Sequence, residues 1–191
     1  MEPLEQLDQL GPMLGGVVSQ IGRDQLDEPT PCRQFTVRGV LEHMVTGATS
    51  FAAGFRGESA PAPDHDGVTD PLASFGAALN GLADAMHSPG ALDRTIAAPF
   101  GDVPGQAFAR FVVLDGLVHG WDLAVATGQP YQPPDALVDA ADTFAREAIV
   151  PAMRDAGMFS APAEAPAGAT PIERLVAFTG RRVPNASSDD A

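Results

Sequence analysis

The chain has 191 residues, a formal net charge of −14 and a single cysteine, Cys32. That length supports one domain with a real core, and a lone cysteine excludes an intrachain disulfide. With 11 arginines, no lysine and 25 acidic residues, the chain has little with which to neutralise phosphates, which argues against nucleic acid and anionic membrane as partners.

Taken in chain order, the pattern is mostly helical. Leu4, Leu7, Leu10, Leu14, Val17, Val18 and Ile21 follow a helical period. Gly11-Pro12 interrupts it, so the first helix is expected to kink there or to start at Pro12. Residues 27–32 form a Pro-punctuated loop. Thr36 is the expected N-cap of a second helix reaching about Phe55, with Val37, Val40, Leu41, Met44, Ala48, Phe51 and Phe55 on its core face. Residues 57–69, rich in Gly, Pro, Ser and Asp, read as an exposed loop that includes His65. Asp70-Pro71 sets an N-cap followed by proline at the first helical position, opening a third helix to about His87.

Ser88-Pro-Gly90 stops that helix. Residues 91–103 read as a short hairpin or a loop. Pro104 then opens a long helix that ends near Thr127-Gly128. Pro133-Pro134 leads into a further helix to about Ala156, which Pro151 is expected to kink or end early. Residues 157–169 are an Ala/Pro/Gly linker. Thr170-Pro-Ile-Glu173 has the capping-box pattern, with Gly180 a helix-ending glycine, and this gives one short last helix. Residues 183–191 read as a disordered tail. Four long helices joined by such loops predict an all-α, up-and-down four-helix bundle with a short extra C-terminal helix, spanning residues 1–182 as a single domain. The N-terminus lacks the apolar run of a secretory signal, and no stretch approaches 18 apolar residues. A cytoplasmic location is therefore expected.

Chemistry concentrates on the helix opened by Pro104. Between Phe111 and Ala126 nearly every residue is apolar or small, and the polar side chains are Asp115, His119 and Asp122. At 3.6 residues per turn these three fall within an arc of about 60°. The arc is either the narrow solvent edge of a mostly buried helix or a site inside the protein, because periodicity alone does not orient a helix. Solvent edges usually carry Glu, Lys, Arg or Gln, and this one carries none. On the second helix, His43 shares a stripe of small residues with Gly39, Thr46, Gly47, Ser50 and Gly54. Such a stripe admits a close backbone or leaves room for a ligand. His43 can thus meet Asp115 and His119 across the bundle, and two histidines with one carboxylate are a usual ligand set for a catalytic zinc ion. Alone, His43 reads as an ordinary core or surface histidine. Trp121 reads as core or pocket wall, and as the candidate substrate contact. His87 suits a helix C-terminus, and Cys32 reads as a small hydrophobe.

These residues carry a resemblance. Thr30-Pro-Cys32, Phe35-Thr-Val-Arg38 and Leu41-Glu-His43, then Val118-His119-Gly-Trp-Asp122-Leu-Ala, then Ala177-Phe-Thr-Gly-Arg-Arg182, resemble in order and spacing the signatures of actinobacterial DinB-like metal-binding proteins. That group is similar to the N-terminal domain of mycothiol-dependent maleylpyruvate isomerase. The resemblance implies a DinB-like four-helix bundle that binds a divalent metal, Zn2+ or another such as Ni2+. His43, Asp115 and His119 match the ligand positions. It also implies a thiol cosubstrate, with mycothiol expected, and a small electrophile. Two departures stand out: Asp115 where the isomerase has Glu, and Phe35 where the family usually has Trp. The chain is also too short for the isomerase's additional C-terminal domain, which turns the expectation away from maleylpyruvate isomerisation itself.

Three functions compete. The first is a metal-dependent thiol S-transferase or isomerase, with Asp122 orienting His119 or handling a proton. The second is a non-catalytic metal-binding or small-molecule-binding module. The third is a zinc-dependent hydrolase, which the lack of a glutamate beside the ligands disfavours. Arg181-Arg182 fits an anionic thiol or a simple helix-end charge. Monomer and homodimer are both compatible with the sequence.

Overall fold

A computed structural model describes residues 1–59, 68–98 and 101–184. His65, the middle of the loop expected over 57–69, the tip of the segment expected to be extended, and most of the expected tail lie outside the described residues. The chain divides into two compact units, Met1–Tyr131 and Gln132–Ala191. It is mostly helical, with one small sheet. Among the described residues no helix is long and apolar enough to cross a membrane.

The first unit opens with α1, Pro3–Ser19, which begins with Pro3 in its first turn and continues past Pro12 as one helix. Pro12 deletes one backbone hydrogen bond, to the carbonyl of Asp8, and such a proline costs about 3 kcal/mol. Both residues lie on the exposed face, outside the core. Leu7, Leu10, Leu14, Val17 and Val18 are buried on the opposite face. At about 1.5–3 kcal/mol each, they outweigh the break. A single 3-10 turn, Arg23–Gln25, follows.

Helix α2, Val37–Arg56, starts where Thr36 Oγ1 accepts the Gly39 N–H at 3.3 Å. It ends at Gly57, whose φ of 77° lies in the left-handed region. Helix α3, Pro71–His87, starts where Asp70 accepts the Ala73 N–H at 3.2 Å. The Arg23 guanidinium, 2.6 Å from Asp70, and that N–H together hold the Asp70 carboxyl below the usual carboxylate range. After α3, strands β1, Thr95–Ala98, and β2, Gly101–Pro104, pair antiparallel, with Ile96 opposite Val103. The segment read as hairpin or loop is therefore a hairpin.

Helix α4, Gly105–Ala126, begins one residue after Pro104. The Gly105 N–H donates to the Arg94 carbonyl at 2.7 Å. A Cβ at Gly105 would lie 2.8 Å from the Leu92 carbonyl oxygen, so this entry has no room for a side chain. Within the unit, α1 packs on α3 and α4, and α2 packs on α3 and α4. Gly116 and Gly120 bring α4 close to Leu10 and Leu14 of α1.

The second unit holds α5, Asp135–Ala148, α6, Pro151–Asp155, and α7, Pro171–Phe178. The helix expected to reach Ala156 ends at Ala148, and Pro151 starts a separate turn of helix, because a proline has no N–H for a continuing ladder. Thr170 and Glu173 form the expected capping box, and Gly180 takes φ 100° just past α7. Arg146 and Arg154 both stack on the Phe178 ring, at 4.7 and 4.9 Å.

Candidate metal centre

Helix α4 is buried over most of its surface, and two of its three polar residues go inside with it. His119 is 5% exposed and Asp122 is fully buried. Asp115, between them in angle and one turn nearer the start of the helix, keeps a side chain 37% exposed. A carboxylate with no access to water must be satisfied by partners. Asp122 Oδ2 sits 3.0 Å from His119 Nδ1, one helical turn back.

That contact decides what the other side of the ring does. With Nδ1–H donating to Asp122, the Nε2 lone pair of His119 is left as an acceptor. It points toward Asp115 Oδ1, 3.5 Å away. His43, brought across by the packing of α2 on α4, places Nε2 3.4 Å from the same Asp115 oxygen. One ligand atom from each of His43, Asp115 and His119 lies within 4.8 Å of the other two. A lone pair and a carboxylate oxygen that converge at this range repel unless a proton or a cation sits between them. In a tetrahedral site with bonds of 2.0–2.1 Å, neighbouring ligand atoms stand about 3.3–3.4 Å apart. The two edges that meet at Asp115, 3.4 and 3.5 Å, fall close to that. The donor set of two imidazoles and one carboxylate is thus of a kind that could hold a divalent cation, with its three ligand atoms within 4.8 Å of one another.

The histidines are walled by an aromatic ring. Phe35 stacks on His43 with centroids 5.4 Å apart and meets His119 edge-on at 6.3 Å. The two imidazoles are 4.9 Å apart. Phe35 reaches this place because Gly39 has no side chain. A Cβ there would lie 3.1 Å from the Phe35 ring. The small-residue stripe of α2 thus receives side chains rather than another backbone. Gly39 lies under Phe35, and a Cβ at Gly54 would meet Ile96 at 2.9 Å. In the sequence Phe35 stands out only as a departure from the Trp usual in the family. The spacing Phe35, Gly39, His43, four residues at each step, is the signal that could have placed it in the wall.

On its inner side Asp115 also lines an apolar cleft of about 40 Å³ at the centre of the four helices of this unit. Its other walls include Leu10, Met44, Ala48, Phe51 and Val112. Nothing in the sequence reading marked this space, because it is assembled from four separate helices.

The remaining candidates lie elsewhere. Trp121 is buried, but two residues past His119 it lies about 200° round the helix, facing away from the ligand arc. His87 pairs with Asp8 at 2.8 Å and ties α3 to α1. Cys32 is half-buried in the loop before α2. Arg182 is exposed after α7.

Comparison with known proteins bears on the same segment. A family model described as the mycothiol maleylpyruvate isomerase N-terminal domain matches residues 7–124, which include His43, Asp115, His119 and Asp122. Two uncharacterized proteins of Mycobacterium tuberculosis, from strains CDC 1551 and H37Rv, are each 31% identical over 184 residues. The match covers 96% of this chain and 100% of each relative. No solved structure matches the chain.

Proposed function

We propose, from the premise that the chain belongs to the mycothiol maleylpyruvate isomerase N-terminal domain family, that it binds a divalent metal and uses it to activate a small thiol. The observation that carries this is the convergence of acceptor atoms from His43, Asp115 and His119 on one point. The ring of contacts α1–α4–α2–α3 supports reading the first unit as a DinB-like four-helix bundle. The similarity to the mycobacterial proteins runs through both units, which supports residues 1–182 as one functional domain.

His43, Asp115 and His119 hold the metal. A divalent ion with three protein ligands keeps a position open and favours the thiolate of a bound thiol near neutral pH. Asp122 fixes the His119 ring in the tautomer that presents Nε2. Phe35 covers one face of the His43 ring. Net thiol addition forms one C–S bond on the electrophile, and the thiol proton ends on the adduct. Addition alone is a transfer; addition, rotation and release of the thiol is an isomerisation. Mycothiol is the thiol that family membership favours, and the cytoplasm is the compartment where such a thiol stays reduced.

Elemental analysis of protein purified without added metal tests the first half of the proposal. Conjugation assays on zinc-loaded protein, across several thiols and electrophiles, test the second. About one equivalent of metal and a rate above the uncatalysed reaction are expected. A metal-replete protein with no such rate is a binding module, and a protein that takes up no metal overturns the whole reading.

A further inference from the structure

We infer that the apolar cleft behind Asp115 is the subsite for a short, uncharged alkyl group of the electrophile. This rests on the metal-and-thiol reading above and narrows its substrate class. Asp115 belongs at once to the ligand group and to the wall of the cleft. The space thus adjoins one ligand of the group, and a substrate held at the metal would extend a tail past Asp115 to enter it. The rest of the wall is hydrocarbon or backbone, from Leu10, Met44, Ala48, Phe51, Leu82 and Val112 among others.

Size and charge select the occupant. One water-sized group needs about 10–15 Å³ and a cavity of about 150 Å³ holds benzene. A cleft of about 40 Å³ therefore holds about three or four carbon atoms and excludes an aromatic ring. Among the described residues that line it, Asp115 carries the one formal charge and no cation is present. A substrate carboxylate placed there would be desolvated among hydrocarbon walls without a partner, which is unfavourable. The substrate class is thus an electrophile with a propyl- or butyl-sized apolar end, and not a dicarboxylate whose far acid group must enter the cleft.

The test uses n-alkyl hydroxamates on the zinc-loaded full chain, read by calorimetry. The hydroxamate head chelates the metal and the tail probes the cleft. Affinity should rise about fourfold for each methylene that enters, from the burial free energy of a CH2 group, and level off by about the fourth carbon. Ala48→Val, which narrows the cleft, should flatten that rise. Val112→Ala, which widens it, should move the levelling point to a longer tail, and it keeps the test valid if the narrowed variant does not fold. A tail ending in a carboxylate should gain nothing over acetohydroxamate. Equal affinity for every tail length on a zinc-bound protein would overturn the subsite and leave the metal centre standing. Failure to bind both zinc and acetohydroxamate would overturn the metal reading, and the subsite with it.

Discussion

Helices α4 and α5 are built on opposite plans. In α5 the buried residues Leu137, Val138, Ala141 and Ala145 make one stripe, and Asp139, Asp142, Arg146 and Glu147 occupy the rest. Most of its charges meet water and its apolar stripe follows the helical period, while Asp142, paired with Arg146, keeps one carboxylate oxygen buried. In α4 fifteen residues between Gly105 and Ala124 are buried, on every side of the helix. A charge at the surface, as most of those on α5 are, needs no explanation. A charge inside α4 does, since an ionised carboxylate taken from water must find partners. Asp122 finds His119, and His119 then presents its second nitrogen to Asp115 and His43. The difference teaches that polarity carries functional information in proportion to how apolar its surroundings are.

The comparison breaks most sharply at His119. In the wild type, zinc at about 100 times its Kd should stabilise the fold by about 2.7 kcal/mol, or about 5–10 °C in Tm for a chain of this size. His119→Ala should abolish that gap between zinc-loaded and chelated protein, as read by thermal unfolding. An identical response of variant and wild type would mean that the polar arc of α4 is not the site.

Asp122→Asn comes next. It keeps a hydrogen-bond acceptor beside His119 Nδ1 but removes the charge. Zinc affinity should fall about 10–100-fold, as for other residues that orient a metal-binding histidine, while saturating zinc still fills the site. A competition titration against a chromogenic chelator measures this. An unchanged affinity would reduce Asp122 to a packing residue.

The burial of α4 can be probed without touching its polar residues. Gly105→Ala would set a Cβ against backbone carbonyls that cannot rotate away. Gly120→Ala would set one 2.6 Å from the Tyr131 hydroxyl and 2.8 Å from Leu14. Each should cost about 1–3 kcal/mol by denaturant unfolding, with metal stoichiometry preserved in the folded fraction. On α5 the matching change is Arg146→Ala, which removes a half-exposed pair with Asp142 and a stack on Phe178. It should cost about 1 kcal/mol or less and leave zinc binding unchanged.

The smallest effect belongs to the start of α3. Arg23 and the Ala73 N–H hold the Asp70 carboxyl below its ordinary range. A depressed carboxylate contributes stability that is present above its unfolded pKa and is lost as pH falls through the folded one. Asp70→Asn should therefore make unfolding slightly less pH-dependent on the acid side of the ordinary carboxylate range, with no change near neutral pH in the pH slope. Acid titrations of the two proteins followed by circular dichroism check this, and parallel curves would mean that the Arg23 contact is not formed in solution.

Much of the local structure follows from short-range chemistry alone. Thr36, Asp70-Pro71 and Thr170 with Glu173 start their helices where capping physics puts them, because a cap is completed within four residues. The polar arc of Asp115, His119 and Asp122 is likewise a property of one helix and its pitch. The tertiary structure decided the rest. It carried α1 through Pro12, because core burial on the far face outweighs one missing hydrogen bond. It turned the arc inward and brought His43 to Asp115 over 72 residues of chain. It laid Phe35 on the Gly39 gap and built an apolar cleft from four helices. Apart from the four-residue spacing of Phe35, Gly39 and His43, none of these has a local signature, since helical periodicity fixes which residues share a face but not what that face meets.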